Sequence, residues 1–289
     1  LIRAAAKNFN DVVIVPSRDH YGWLMDLLEK QSGATTLADR KSMAAHAFNV
    51  SSHYDTAIFH YFNKVASIEV FKSDIQEAHA LRYGENPHQR AAFYVEDRPA
   101  AGTLATARQL NGKELSYNNL LDLDAARAAV LDFRQPAASV IKHNNPCGLA
   151  VAESLADAFH KAYEGDPVSA FGSIIGLNRV VDAATAEAMC VPGRFLEAVI
   201  APGYDAEALE ILTTKPKWKN NVRLLRVPGW QTANASTAAS MEYRRVTGGL
   251  LVQTRDDQPD PEAEWKVVTN RQPTDAELRD LRFAWRVCK

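Results

Sequence analysis

The chain has 289 residues, 46% of them apolar and 24% charged, and 33 basic against 35 acidic side chains give a formal net charge of −2. This length predicts about two domains, with enough apolar material for a core that needs no covalent staples, while the balanced charge argues against a general nucleic-acid binder. No segment approaches the ~18 uninterrupted apolar residues of a membrane-spanning helix, and the three cysteines, Cys147, Cys190 and Cys288, lack the spacing of a disulfide framework or a zinc cluster, so no metal is predicted and a reducing, cytoplasmic setting is expected.

The chain begins at Leu1 with no secretory leader and ends at Lys289 inside an amphipathic pattern. It therefore reads as an internal piece of a longer polypeptide. Ile2–Lys7 is rich in alanine. The apolar run 11–15, closed by Pro16, predicts a buried strand. Trp23, Leu24, Leu27 and Leu28 give 21–30 helical spacing. Residues 37–63 predict a long helical hairpin with Ala44, Ala47, Phe48, Tyr54, Ile58, Tyr61 and Phe62 as its apolar stripe. Residues 64–80 lack periodicity and predict a linker, with domains over 1–65 and 66–289.

Beyond the linker, helical and strand-like segments alternate. Helices are predicted over 122–133, 153–164, 182–189 and 205–214, the last two begun by Asp182 and Asp205 as N-caps. Strands are predicted over 138–141, 173–177, 196–201 and 222–227. This alternation implies α/β layers with a largely parallel sheet. Thr274 and Glu277 form a capping box before a final helix.

Two polar clusters could carry chemistry. The first, Leu81-Arg-Tyr-Gly-Glu-Asn-Pro-His-Gln89, is a loop by its Gly84 and Pro87. Arg82 offers a planar fork for phosphate or carboxylate, and Tyr83 a ring and a hydroxyl. A solvated turn accounts for the composition equally well. In the second, Val140-Ile-Lys-His-Asn-Asn-Pro-Cys-Gly148, an apolar strand runs into Lys142 and His143. Ligands in open α/β sheets bind beyond strand carboxyl ends, where His is a general base and Lys an oxyanion donor. Both reach one substrate only if they lie at the bend, because successive strand residues face opposite ways. A capping His and a solvated Lys are the plainer alternative.

Weaker signals remain. Asn118 or Asn119 could simply cap the helix that follows Ser116. Gly172, in Asp166-Pro-Val-Ser-Ala-Phe-Gly172, could permit close backbone approach, and Glu197 and Gly203 flank a strand end. Cys147 is a poor candidate nucleophile, because no orienting partner lies near it in sequence beyond His143. Gly248-Gly249 is too short for a phosphate loop, and neither GxxxxGK[ST] nor GxGxxG occurs.

These motifs occur in one order: Arg3-Ala-Ala-Ala-Lys-Asn8, Arg82–Gln89, Leu115-Ser-Tyr-Asn-Asn119, Lys142–Gly148, Asp166–Gly172 and Arg244-Arg-Val-Thr-Gly-Gly-Leu-Leu-Val-Gln253. Together they resemble the bifunctional purine biosynthesis family, in which AICAR formyltransferase is fused to IMP cyclohydrolase. The resemblance covers essentially the whole chain, and its specificity lies in the set rather than in any one motif. It implies the tail of a methylglyoxal-synthase-like α/β cyclohydrolase domain over 1 to about 65. A cytidine-deaminase-like α/β/α formyltransferase subdomain, without zinc, would follow.

The implied reaction is formyl transfer from 10-formyltetrahydrofolate, as co-substrate, to the amine of AICAR. The product, FAICAR, is then cyclised to IMP in the full-length protein. The resemblance makes His143 the base and Lys142 the oxyanion donor. It places Arg82 and Tyr83 on AICAR, with Arg82 near the phosphate. Asn119, Gly172 and Glu197 become nucleotide contacts, Lys215 a phosphate contact whose alignment slips easily, and Lys7 a cyclohydrolase substrate lysine. It also implies a homodimer, with neither nucleic acid nor membrane as partner. A second reading is a nucleotide-binding piece of the same protein that turns nothing over.

Overall fold

The computed structural model describes all residues except 74, 76, 97–98, 231–240, 257–264 and 289, and it divides into two compact units, Leu1–Gln76 and Glu77–Lys289. In the first unit the described residues form helices: α1 (Ile2–Lys7), α2 (Tyr21–Lys30) and α3 (Leu37–Ala66). Thr36 and Asp39 start α3 with a reciprocal capping box. The predicted hairpin over 37–63 is instead one continuous helix, since neither Gly nor Pro interrupts 37–66. Its core is small: Ala44 and Ala47 pack with Ala6 of α1, flanked by Ile2, Phe9 and Ile14. The rest of the predicted stripe is not covered; Tyr54, Tyr61 and Phe62 are each at least 65% exposed. The run 11–15 is not a strand but irregular chain that follows a turn. A strand needs a neighbouring ladder to pair with, and the described residues 1–76 contain none.

Both ends of the predicted linker over 64–80 are regular structure, whereas its described middle, 67–73 and 75, holds neither helix nor strand. The helix α3 runs on to Ala66, and Glu77–Ala80 is β1, which pairs antiparallel with β2 (Ala92–Val95); positions 74 and 76 lie outside the described residues.

The larger unit is built on a six-stranded sheet. Its strands are β3 (Arg108–Asn111), β4 (Ala137–Lys142), β5 (Asn145–Val151), β6 (Ser173–Leu177), β7 (Leu196–Ala201) and β8 (Arg223–Arg226), in the spatial order β3-β8-β7-β6-β4-β5. The sheet is mixed. β6, β7 and β8 are parallel to one another, whereas β4 is antiparallel to both β6 and β5, and β3 is antiparallel to β8. The expectation of a largely parallel sheet fails because β4 leads through a two-residue hairpin into β5, a strand the Pro146 and Gly148 signals concealed.

Helices cover both faces. On one lie α5 (Leu155–Glu164), α6 (Ala183–Met189) and α7 (Ala206–Thr214), packed on Val140, Ile175, Val199 and Leu224. On the other, α4 (Tyr117–Leu131) places Leu123, Ala126 and Val130 against Ile141, Ile174, Ile200 and Leu225. Phe283 and Val287 of α8 (Asp275–Cys288) pack on that second core. The Asp182 side chain caps α6 by accepting from the Thr185 amide, Ser154 caps α5, and the Thr274–Glu277 box opens α8. Asp205 occupies the cap position of α7 without a side-chain bond. A separate exposed hairpin joins β9 (Met241–Val246) to β10 (Gly249–Thr254).

One consequence of topology sets the site. Because β4 opposes β6, the carboxyl end of β4 lies beside the amino ends of β6 and β7: Ile141 pairs with Ile174, and Ser173 with Leu196.

Candidate functional site

At that edge, β4 ends on Lys142, paired with Asn145 across the turn, and His143 and Asn144 make the turn itself. Both have positive φ, 55° and 61°. Two central residues of this hand are the signature of a type I′ turn, whose twist matches the flanking strands. Lys142 and His143 therefore stand at the bend, as chemistry on one substrate requires. The half-buried Lys142 sends its Nζ to the carbonyl oxygen of Phe171 at 2.9 Å. His143 and Asn144 are exposed.

Around Lys142 the loop 166–172 is tightly tied. The Ser169 hydroxyl donates to Asp166 Oδ2 at 2.6 Å and the Ser169 amide to Oδ1 at 3.0 Å. These bonds, with a smaller contribution from the Lys142 charge, hold the Asp166 carboxyl below its ordinary value. Gly172 takes φ +76° and donates its amide to Phe195 O at 2.8 Å, and the Phe171 and Phe195 rings meet at a tilt of 51° with centroids 5.3 Å apart. Burial pushes the half-buried Cys147 thiol up, and Asp166 adds to that, against a smaller pull from Lys142. The site thus disfavours a Cys147 thiolate.

Next along the edge is Glu197. Its Oε1 accepts from Nη1 of Arg223 at 2.6 Å, and Arg223, only 2% exposed, also donates through Nε to the Glu114 carbonyl. Removing the Glu197 carboxylate would leave a buried guanidinium without its counter-charge.

The loop carrying Arg82 spans the β1–β2 hairpin and docks on the start of α4. Arg82 N donates to Leu115 O, Tyr117 N donates to Tyr83 O, and Asn118 Nδ2 donates to Glu85 O. The exposed Arg82 guanidinium lies 4.6 Å over the Tyr83 ring, with Nη2 2.8 Å from the Tyr83 hydroxyl. Asn119 is the third residue of α4, and its Oδ1 accepts from Ser116 N at 3.0 Å in a capping box. That engagement leaves its amide nitrogen as the group able to serve a ligand; Ser116 itself is the N-cap, rather than Asn118 or Asn119.

Two predicted site residues stand apart in their contacts. Lys215 ends α7 and is paired with Glu187 of the neighbouring helix α6, next to Cys190, whose thiol burial raises to about 11. Lys7 is the last residue of α1, in the other unit. Gly203 follows β7 and accepts from the Val181 amide, a structural link rather than a site contact. Among the described residues no group of three His, Cys, Asp or Glu side chains is disposed to hold a metal ion, and no helix is long and apolar enough to cross a membrane.

The profile of the AICARFT/IMPCHase bienzyme family matches residues 5–289. The chain belongs to this family. It is 46% identical over 293 residues to the bifunctional purine biosynthesis protein PurH of Rhodopirellula baltica and 44% identical over 293 residues to that of Synechocystis. Each alignment takes in 100% of this chain and 55% of the relative, so the chain spans about half the length of the curated relatives it matches.

In this member of the AICARFT/IMPCHase family, three groups that the sequence did not mark complete the edge. Arg223 holds Glu197. The Phe171 carbonyl holds Lys142. Asp122 of α4 accepts from Asn144 N at 2.7 Å. A strand arginine and a helix aspartate carry no motif. The one available signal was Arg223 itself, a charge that opens a short strand between the apolar Val222 and Leu224.

Proposed function

We propose that this chain carries the first part of an AICAR formyltransferase domain, with the base and oxyanion donor at the β4–β5 turn. The observation that carries the reading is the placement of Lys142 and His143 at one bend, on the edge that also holds Gly172 and Glu197. In the proposed step the 5-amino nitrogen of AICAR attacks the formyl carbon of 10-formyltetrahydrofolate, and His143 takes the proton the amine loses. The Lys142 ammonium stabilises the oxyanion of the tetrahedral intermediate. Collapse breaks the bond to the folate nitrogen, which leaves with a proton as tetrahydrofolate, and FAICAR is formed. The amine is a poor nucleophile, since its lone pair is shared with the imidazole and carboxamide, so proton removal during attack matters.

Arg82 would take the phosphate through its fork, with Tyr83 beside it. Asn119, through its amide nitrogen, Gly172 and Glu197 would contact the nucleotide. Lys215 would have to leave Glu187 to meet a phosphate. Residues 66–289 would be the cytidine-deaminase-like formyltransferase part. Residues 1–65 would be the end of a methylglyoxal-synthase-like cyclohydrolase domain, where Lys7 binds substrate and the full-length protein closes FAICAR to IMP. The whole protein would act as a cytoplasmic homodimer.

The test is formyl transfer by the full-length protein. His143→Ala should lower turnover by roughly a hundredfold or more, as loss of a general base does, while AICAR binding changes much less. Arg82→Lys should weaken binding of AICAR, because a point charge replaces a fork, and should leave binding of the dephosphorylated riboside nearly unaltered. Normal turnover in the His143 variant would remove it from the mechanism.

A further inference from the structure

The turn that carries His143 is conformationally expensive. Its two residues both adopt the left-handed region, with φ 55° and 61°, where side chains other than Gly cost about 1–3 kcal/mol unless the surroundings enforce the geometry. Asn tolerates the region well, and His is less suited to it than Gly. Among the described residues, nothing is hydrogen-bonded to the His143 ring; its direction is set by the backbone beneath it.

That backbone is held from α4. Asp122 Oδ1 accepts from Asn144 N at 2.7 Å. In the amide orientation that satisfies both of its ends, Asn144 Nδ2 also donates to Asp122 Oδ1 at 3.0 Å and to Leu121 O at 3.2 Å. From inside the hairpin, Asn145 Nδ2 donates to His143 O at 2.8 Å. Asp122 stands on a firm base, because its neighbours Leu123 and Ala126 are fully buried against the sheet. The same helix begins at the Ser116 cap on which the Arg82 loop docks. One rigid element therefore sets both the base and the proposed anchor of the nucleotide.

We propose that Asp122 is a positioning residue for the formyl-transfer step: by clamping Asn144 to α4 it fixes the left-handed turn and so aims the His143 ring. This rests on the formyltransferase reading above. The clamp depends on where an acceptor oxygen lies rather than on its charge. Asn at position 122 keeps that oxygen, whereas Glu keeps the charge and moves the oxygen by one methylene.

The experiment measures kcat and KM for AICAR in the full-length protein for Asp122→Asn, Asp122→Glu and Asp122→Ala, each alone and in the His143→Ala background. Asp122→Ala and Asp122→Glu should lower kcat by up to about a hundredfold, the cost of a misplacement of about 1 Å, with KM nearly constant. Asp122→Asn should recover most of the turnover and leave the pH profile in place. In the His143→Ala background none of the three should cost anything further, since residues acting as one unit are not additive. An active Glu variant with an inactive Asn variant would overturn the clamp in favour of a charge effect. Equal losses with and without His143 would overturn it in favour of general structural damage. These two comparisons decide the question even if Asp122→Ala fails to fold. Normal turnover in His143→Ala alone would instead strike down the underlying assignment, whatever Asp122 does.

Discussion

Among the described residues of the larger unit, two hairpins turn over two residues, and they solve the turn with different chemistry. Between β9 and β10 the turn residues are Thr247 and Gly248, and Gly248 carries the positive φ, 77°, at no steric cost. All six residues of β9 are exposed, and nothing lies within 4 Å of where a Gly248 side chain would be. Between β4 and β5 the turn residues are His143 and Asn144, five of the six residues of β4 are buried, and α4 reaches over to hold Asn144. A turn that uses glycine needs no support and presents no chemistry. A turn that presents an imidazole from a left-handed residue, followed by a second such residue, needs a packed strand beneath it and an outside clamp.

The sharpest test of this contrast compares charges on the two hairpins. Lys142→Ala should cost about 2.7–4 kcal/mol of transition-state stabilisation, the range for losing one oxyanion donor, measured as the fall in formyl-transfer turnover of the full-length protein. Lys142→Arg should restore only part of it, because a planar guanidinium cannot occupy the place of an ammonium held by the Phe171 carbonyl. Arg244→Ala, on the other hairpin, should leave turnover unaltered. Equal losses at the two positions would erase the distinction between the hairpins.

How much of this was legible differs along the chain. The elements β6, β7, α6 and α7 lie where periodicity and the aspartates 182 and 205 put them, because each is bounded by its own cap or breaker. β5 was hidden: Pro146 and Gly148 read as turn residues, yet Pro is tolerated on an edge strand, which β5 is. Missing it reversed the inferred direction of β4 and with it the character of the sheet. The opposite error arose at 11–15, where a strand-like sequence has no ladder to join. Lys142 and His143 were visible because polar residues end an apolar strand. Asp122 was not, since one acidic residue on an amphipathic helix looks like any solvated one until the fold brings Asn144 to it.

Packing offers a second, smaller contrast. A Cβ added at Gly148 of β5 would lie 1.9 Å from the Ala162 carbonyl oxygen in the backbone of α5. Neither partner is a flexible side chain, so Gly148→Ala must displace the strand or the helix. We expect a loss at or beyond the upper end of the about 1–3 kcal/mol typical of overpacking, read from thermal unfolding. Gly248→Ala meets open space, and its cost is the left-handed backbone alone, about 1 kcal/mol. The reverse ranking would show that the first hairpin is the looser of the two.

The smallest effect is expected at Cys147, three residues beyond Asn144, and it decides what kind of chemistry the first hairpin performs. Its thiol is raised above the ordinary value, first by burial and then by Asp166. A raised thiol keeps its proton further up the pH scale, so at neutral pH the thiolate fraction falls below that of a free cysteine, and attack by sulfur is suppressed. Packed partly against the α5 core, it serves as a small apolar side chain, which alanine replaces at little cost. Cys147→Ala should therefore leave formyl-transfer turnover unchanged. In the native chain Cys147 should react with iodoacetamide at neutral pH more slowly than the exposed Cys288, as followed by mass spectrometry of the modified peptides. If Cys147 is instead modified ahead of Cys288 and its alanine variant loses turnover, the first hairpin supplies a nucleophile. His143 would then be read as the base that activates the Cys147 thiol, with the formyl group passing first to sulfur and then to the amine rather than directly between the two substrates.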